Sequence, residues 1–189
     1  MFLGSMDWMP NQDGVRFFAD EVWPRVLEGE PRAVFQIVGR NPPASIVALG
    51  QRQGIEVTGS VADVRPHLAQ ASVVVVPLLV GGGTRLKIYE AMAMAKATVS
   101  TTIGAEGLPV EPGVHFLQAD DAQTFAADIL KLFRDPAMRD AMGQASNRFV
   151  RDNYASETIA KQFETICRKV VSQTFRPAGA MQHSPAHSM

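Results

Sequence analysis

Short runs of β-branched residues alternate with longer segments of helical period along the first two thirds of the chain. This alternation is typical of repeated strand-helix-strand units around a parallel sheet. Residues 73–76 are four consecutive valines, and a run without polar alternation predicts a central strand that helices cover on both faces. Six strands are predicted, at 2–4, 33–38, 55–58, 73–76, 97–101 and 114–117.

Helices are predicted between these strands and after them. The last third of the chain has no strand pattern and indicates two or three consecutive helices, with Pro136 opening the second at a position where its missing N–H is harmless. The fold class is therefore α/β, a doubly wound parallel sheet of about six strands with extra C-terminal helices. Helices between strands are predicted at 13–27, 45–53, 63–70 and 84–94.

One predicted C-terminal helix, at 156–171, carries an apolar stripe at spacings of three and four residues. A stripe of this kind is typical of a helix face that is covered by another surface. We therefore expect these side chains to be covered: Ile159, Phe163, Ile166 and Val170.

The 189 residues, 46% of them hydrophobic, predict one globular domain, which we place at 1–172. Residues 173–189 are polar and interrupted by proline, so we expect a disordered tail there. Because the first predicted strand begins at residue 2, we interpret the domain as part of a longer protein, with a naturally short chain as the alternative.

Composition and charge exclude several classes of function. The 18 basic and 19 acidic residues give a net charge of -1 without a Lys/Arg cluster, which argues against a nucleic-acid partner. The longest apolar run, at 73–80, is far shorter than the roughly 20 residues that span a bilayer. Cys167 has no second cysteine, and the histidines lack zinc-ligand spacing, so we expect no metal site and a reducing, cytoplasmic setting.

The strongest candidate site is the glycine-rich segment after the fourth strand, because open parallel sheets bind ligands beyond the carboxyl ends of their strands. Three successive glycines at 81–83 let backbone N–H groups approach a ligand, and the next helix directs its positive end there. Thr84 is predicted to cap that helix, while Arg85 and Lys87 add two cations where the helix dipole disfavours them. The arrangement indicates an anion site; a solvated turn with two exposed cations is the alternative.

Glu90 lies one helical turn beyond these cations. Because its neighbours in sequence are mostly apolar, we expect more than a solvated carboxylate, namely an acceptor of two hydrogen bonds from a ribose diol. A surface ion pair with Lys87 is the alternative. The sequence has neither a P-loop nor a D-x-D pattern, so Arg85, Lys87 and backbone amides would have to meet the charge of a bound phosphate.

The segment GGGTRLKIYEAMAMAKATVST at 81–101, followed by GAEGL at 104–108, resembles the donor-binding domain of family-4, group 1 glycosyltransferases. Segments 2–8, 36–40 and 57–61 add to the resemblance, which extends from residue 2 to about 170. It implies one half of a GT-B enzyme: a Rossmann-like C-terminal domain that binds a nucleotide-diphosphate sugar. The acceptor-binding N-terminal domain would be the partner and lies outside this sequence.

The activity that the resemblance implies is transfer of a sugar, of hexosyltransferase type, from the nucleotide-sugar donor to an acceptor without metal or cofactor. The full-length enzyme would be cytoplasmic and compatible with a peripheral membrane location. Two alternatives stay open: a GT-B sugar epimerase, and a non-catalytic nucleotide-binding or interaction module. Because acceptor-side groups belong to the other domain, no catalytic residue is assigned in this chain.

The resemblance also implies roles for individual residues. Glu90 matches the second glutamate of the family's paired-glutamate motif, which binds the ribose hydroxyls. Residues at the glycine-rich bend would bind the donor diphosphate: Gly82, Gly83, Thr84, Arg85 and Lys87. The loop after the third strand would meet the base through Gly59, Ser60 and Val61. Further donor-site candidates follow other strands: Ser5, Arg40 and Glu106.

Two departures from the family pattern affect the donor site. The first glutamate of the paired motif falls on Gly82, so that carboxylate is absent. Many members carry an Arg and a Lys after the first strand, where this chain has SMDWMPNQD at 5–13. We expect Arg85 and Lys87 to take over their charge.

Overall fold

The computed structural model describes residues 1–81 and 85–174. Two compact units divide the chain, Met1–Arg151 and a second unit that begins at Asp152. Of the predicted tail, residues 175–189 lie outside the described residues, whereas residues 173 and 174 belong to a helix. The domain boundary at 172 stays a prediction.

The predicted α/β fold is confirmed in the first unit. Parallel strands form two three-stranded sheets, one with the order β1-β2-β3 and one with the order β4-β5-β6. The strands of the described chain are β1 (Phe2–Leu3), β2 (Phe35–Val38), β3 (Ile55–Gly59), β4 (Val73–Val76), β5 (Ala97–Ser100) and β6 (Leu117–Gln118).

Backbone hydrogen bonds join the two sheets at the beginning of β1. The nitrogen of Met1 donates to the Val73 carbonyl at 2.9 Å, and the Val75 N–H donates to the Met1 carbonyl at 2.8 Å. The strands therefore follow one another in the order 3-2-1-4-5-6. In sheets of this order, successive strands are added toward one edge from β1 and toward the other edge from β4. The crevice for a ligand lies at this reversal, beyond the carboxyl ends of β1 and β4.

The four valines of β4 explain why this strand lies at the centre. Val73 and Val75 belong to one hydrophobic core, and Val74 and Val76 belong to the other. Since successive side chains of a strand point to opposite faces, a strand buried on both faces must be apolar at every position.

Helices occupy the connections, and their caps follow ordinary sequence signals. Pro136 opens a helix as predicted, and the Asp135 carboxylate accepts a hydrogen bond from the Met138 N–H at 2.8 Å. In chain order the helices are α1 (Met9–Phe17), a π-helical turn (Phe18–Val22), α2 (Trp23–Gly29), α3 (Ala44–Val47), a 3-10 turn (Ala48–Gln51), α4 (Arg65–Gln70), α5 (Leu86–Ala93), α6 (Thr102–Ala105), α7 (Ala122–Arg134), α8 (Pro136–Tyr154) and α9 (Ser156–Thr174).

Several predicted boundaries differ from the observed ones. Helix α1 begins at Met9 rather than at 13, because Pro10 lies in its first turn, where no backbone donor is needed. The strand predicted at 114–117 is observed at Leu117–Gln118. Residues 113–115 form a turn instead, which the Gly113 N–H closes by donating to the Phe116 carbonyl at 2.7 Å.

An aromatic cluster forms the centre of the first core. The ring of Phe18 lies 4.4 Å from that of Phe35 and 5.7 Å from that of Phe125, measured between centroids. Trp23 also packs there, and its indole N–H donates to the Gln53 carbonyl at 3.0 Å. Buried aromatic rings of this size contribute most of the apolar area that stabilises a domain.

The apolar stripe of α9 belongs to the second unit. Ile159, Phe163 and Ile166 are 44%, 68% and 59% exposed, so the expectation that the stripe is covered is wrong for these three side chains. The side chain of Val170 lies outside the described ones. Helical spacing gathers apolar residues on one face, but tertiary contacts decide whether that face is covered.

A search of the described helices finds none with both the length and the apolar content that a bilayer crossing requires.

Replacing Phe125 by alanine will test the aromatic cluster. Because Phe125 is fully buried beside Phe18, Phe125→Ala should lower the free energy of unfolding by about 3–5 kcal/mol. The control is Phe163→Ala, which removes the same group from an exposed position and should change it by less than about 0.5 kcal/mol. Urea unfolding of the full chain measures both. Equal losses in the two variants would contradict the assignment of the core.

Candidate functional site

Helix α1 packs directly against the end of β4 at the junction of the two sheets. A Cβ atom at Gly14 would lie 2.7 Å from the Pro77 carbonyl oxygen, so only glycine allows this approach. The loop after β1 and the bend after β4 therefore lie beside each other, at the place where sheets of this order bind ligands.

Part of the predicted glycine-rich bend lies outside the described residues. Gly82, Gly83 and Thr84 are in this part, and their predicted role in binding diphosphate stays a prediction. The helix predicted to start at 84 begins later, and the predicted capping residue Thr84 lies outside the described residues. Helix α5 begins at Leu86, and Arg85 has the capping position with a non-helical backbone. The Arg85 side chain turns back to the Gly81 carbonyl at 3.0 Å, which keeps this residue outside the helix.

The Arg85 guanidinium is buried at the N-terminus of α5, with 3% of the side chain exposed. Besides the Gly81 carbonyl, its Nη2 atom lies 3.7 Å from a carboxylate oxygen of Glu106, which is 66% exposed. The structure thus brings together two of the predicted site residues, Arg85 and Glu106. An exposed carboxylate at this distance contributes little to holding the cation, because solvent screens the pair.

The Lys87 ammonium lies against β1 and α1. Its Nζ atom donates to the Asn11 side-chain oxygen at 2.5 Å and lies 4.5 Å from the centroid of the Phe2 ring. The pKa of Lys87 is lowered to about 8, mainly because the ammonium is buried; the charge of Arg85 adds to this shift, and the charge of Glu90 opposes it.

Asn11 and Phe2 are site residues that the sequence patterns do not reveal. Asn11 is 4% exposed and precedes Lys87 by 76 residues, so no local spacing links the two. Its side-chain nitrogen donates to the Ser5 carbonyl at 2.6 Å. Its burial marks it as a site residue, because buried polar side chains are nearly always hydrogen-bonded, but this burial is visible only in the structure.

Glu90 lies on α5 close enough to Lys87 for each charge to shift the other's pKa. The expectation that apolar neighbours enclose Glu90 is wrong, because Glu90 is exposed while Ile88, Ala91 and Met92 are buried on the opposite side of the helix. Partial burial still raises the pKa of the Glu90 carboxyl, and Lys87 opposes that shift.

Two further predicted residues, Ser5 and Arg40, meet in a polar cluster beyond the ends of β1 and β2. The Arg40 Nε atom donates to the Ser5 hydroxyl and to the Asp7 carboxylate, each at 3.1 Å. Asn41 donates to the same carboxylate at 3.0 Å. Hydrogen bonds from Ser5 and Asn41 are the main reason that the pKa of Asp7 is lowered. Arg40 is thus paired with a carboxylate in this structure.

The predicted base-binding loop follows β3 at the same edge of the sheet. Gly59 has a positive φ of 69°, and no atom lies within 4 Å of where its Cβ would be. Ser60 is exposed, and Val61 packs partly against the second core. The loop is open to a ligand, and its role in binding the base stays a prediction.

Exposed apolar side chains border the two cations. An added Cβ at Gly81 would lie 2.9 Å from the Trp8 ring and 3.2 Å from an Arg85 nitrogen, so the indole lies beside the bend. Large exposed hydrophobic residues occur in both segments: Trp8 and Met9 after β1, and Leu79, Val80 and Leu86 on either side of the bend. Among the described residues, no three His, Cys, Asp or Glu side chains come together as a metal site.

A sequence profile described as "Glycosyl transferases group 1" matches residues 1–135. The chain belongs to this family. A protein of Klebsiella pneumoniae described as "Uncharacterized 44.6 kDa protein in cps region" is 23% identical to this chain in an alignment of 167 residues, which covers 84% of the chain and 43% of that protein.

Several solved structures have a fold similar to that of this chain. Sucrose-phosphate synthase from Thermosynechococcus elongatus superimposes with a TM-score of 0.72 at 21% identity, over 91% of this chain and 45% of that one. Anabaena Alr3699/HepE, solved in complex with UDP, superimposes with a TM-score of 0.71 at 17% identity, over 90% of this chain and 48% of that one. The C-terminal domain of LpcC, a group 1 glycosyl transferase of Francisella tularensis, superimposes with a TM-score of 0.65 at 19% identity. The match covers 82% of this chain and 85% of that domain.

The chain covers only part of the longer relatives. It spans about half the length of the first two structures and 43% of the Klebsiella protein, but most of an isolated C-terminal domain. The predicted family and the predicted GT-B half-fold are confirmed.

The Lys87 ammonium should titrate with a pKa near 8 in the folded chain, because burial disfavours its charged form. Between pH 8 and the usual lysine value of 10.5, the unfolded chain keeps a proton that the folded chain has released, so the free energy of unfolding rises with pH. From pH 8 to 9.5, Lys87 should contribute a rise on the order of 1–2 kcal/mol.

Urea unfolding at several pH values, compared with Lys87→Met, measures this contribution, and ¹³C NMR of the lysine Cε atoms measures the pKa. Lys131→Met, which removes an exposed lysine of α7, should retain the rise. A Lys87 titration near pH 10.5, or an identical pH dependence in Lys87→Met, would contradict the description of a desolvated ammonium.

Proposed function

We propose that this chain is the donor-binding domain of a glycosyltransferase, which transfers a sugar from a nucleotide-diphosphate sugar to an acceptor. One observation carries the proposal: Arg85 and Lys87 converge at the start of α5, beyond the ends of β1 and β4, in a group 1 glycosyl transferase chain. Two cations at the positive end of a helix favour a ligand with at least two negative charges, such as a nucleoside diphosphate.

The two cations have a direct role in the proposed reaction. The bond between the sugar's anomeric carbon and the diphosphate oxygen breaks, and its electron pair stays on that oxygen, while the acceptor hydroxyl bonds to the carbon and loses its proton. Arg85 is charged at every physiological pH, and Lys87 is mostly charged at pH 7 with a pKa near 8. Fixed cations that face the leaving diphosphate stabilise its growing charge and so lower the barrier.

The remaining donor contacts follow from position along the same edge. Glu90, exposed one turn after Lys87, is available to accept hydrogen bonds from the ribose hydroxyls. The amides of Gly82, Gly83 and Thr84 would add donors to the diphosphate. The open loop of Gly59, Ser60 and Val61 would meet the base through its backbone. Ser5, Arg40 and Glu106 stay candidates for the sugar side of the donor.

Two finer features belong to the same proposal. Because Arg85 and Lys87 can balance the charge of a diphosphate, we infer that transfer needs neither metal nor cofactor. The hexosyltransferase type is part of the proposal only through the resemblance to the family. The acceptor would bind to an N-terminal domain of the same enzyme, since relatives of this fold are about twice as long. The UDP complex of HepE makes UDP the first probe to use.

Calorimetry of the chain with UDP, GDP, ADP and the matching monophosphates tests the donor site. We expect a diphosphate to bind about tenfold more tightly than its monophosphate, because the second phosphate meets a cation. Arg85→Met should weaken binding of the diphosphate about 10- to 100-fold, and Glu90→Ala about fivefold. Arg134→Met and Glu28→Ala remove the same charges from exposed positions on α7 and α2 and should have no effect.

The absence of binding by any of these nucleotides would contradict the proposal and favour a non-catalytic interaction module. If diphosphates bind, analysis of the products formed by the full-length enzyme distinguishes a transferase from an epimerase.

The 189-residue chain by itself should transfer no sugar, because the proposed acceptor groups lie in the other domain. Incubation with nucleotide sugars and chromatography of the products checks this expectation. Detectable transfer to any acceptor by this chain alone would show that the reacting groups are all within it.

A further inference from the structure

We propose that Asn11 is a positioning residue for Lys87: its side-chain oxygen holds the ammonium at the end of β1, oriented toward the diphosphate of the donor. This inference rests on the proposed function, because it assigns to Lys87 a phosphate as its ligand. Asn11 acts through Lys87 and needs no contact with the nucleotide itself.

The hydrogen bonds of Asn11 determine how its amide is oriented. Its nitrogen donates to the Ser5 carbonyl at 2.6 Å, and a carbonyl can only accept. The amide oxygen must therefore face the other way, where it accepts from the Lys87 ammonium at 2.5 Å. Because Asn11 is 4% exposed, water competes little for either bond.

Phe2 and Gly4 shape the space around the ammonium for this arrangement. The centroid of the Phe2 ring, on β1, lies 4.5 Å from the Lys87 Nζ atom, which is within the range of a cation-π interaction. Gly4 follows β1, and a Cβ there would lie 3.0 Å from Nζ and 2.8 Å from the Asn11 nitrogen. A side chain at position 4 would thus displace the pair, so glycine is required here for room.

A neutral partner has a specific advantage at this position. A lysine has a long flexible side chain, and orienting it before the ligand arrives removes part of the entropic cost of binding. A carboxylate would orient the ammonium equally well but would cancel its charge, whereas an amide leaves that charge for the ligand. The charged groups that act on Lys87 are Arg85, which also attracts anions, and Glu90, which lies toward the proposed ribose side.

A double-mutant cycle for UDP binding tests the role of Asn11 in the 189-residue chain. Asn11→Ala should weaken UDP binding about five- to tenfold when Lys87 is present and less than twofold in the Lys87→Met background, since a positioning residue acts only through the group it positions. The matched control is Asn147→Ala. Asn147 donates to the Ala93 carbonyl at the far end of α5, so it should leave UDP affinity within twofold.

The titration of Lys87 by ¹³C NMR in the ligand-free chain gives a second readout, which a merely structural role would not move. Asn11→Ala removes an acceptor from the charged form and should lower the pKa of Lys87, while Asn11→Asp adds a negative charge and should raise it. Asn147→Ala should leave it unchanged. If Asn11→Ala does not fold, Asn11→Ser and Asn11→Asp replace it in both measurements.

The outcomes separate the two proposals. Diphosphate binding that Asn11→Ala weakens equally in both backgrounds, or does not weaken at all, overturns the positioning role and leaves the donor site standing. Failure of the unmodified chain to bind any nucleoside diphosphate overturns the proposed function, and the positioning role with it. A coupled cycle together with opposite pKa shifts in the two Asn11 variants supports both.

Discussion

Two cations held beside the positive end of a helix are the feature on which the rest of the site depends. Helix dipole and mutual repulsion both disfavour Arg85 and Lys87 at the start of α5, and burial adds a desolvation cost. Lys87 contacts two neutral groups, the Asn11 amide and the Phe2 ring. Arg85 contacts the Gly81 carbonyl and lies 3.7 Å from the exposed carboxylate of Glu106. Neutral partners orient a cation without cancelling it, so the crevice keeps a positive potential that an anion can satisfy.

The topology of the sheet determines where this potential lies. Because β1 joins β4 at the centre of the strand order, the loops that follow these two strands meet at one crevice. Gly14 lets α1 approach the end of β4, which brings Asn11 into reach of a lysine that α5 supplies. Three elements that are distant in sequence therefore form one site.

Local patterns were sufficient to predict much of the fold. The four valines of β4 require burial on both faces, and Pro136 can open a helix but cannot lie within one, so both features are encoded locally. The two cations after the glycine-rich bend are also visible in the sequence. The features that could not be predicted from local patterns depend on tertiary contacts. The apolar neighbours of Glu90 pack on the other side of α5, and Asn11 reaches Lys87 across 76 residues.

A crystal structure of the chain in complex with UDP tests the central claim most directly. The account predicts that the diphosphate lies in the crevice beyond β1 and β4, with its oxygens about 3 Å from the Arg85 guanidinium and the Lys87 ammonium. Lys87 should keep its hydrogen bond to Asn11 in that complex. UDP bound elsewhere on the chain, with both cations still facing only protein groups, would contradict the account.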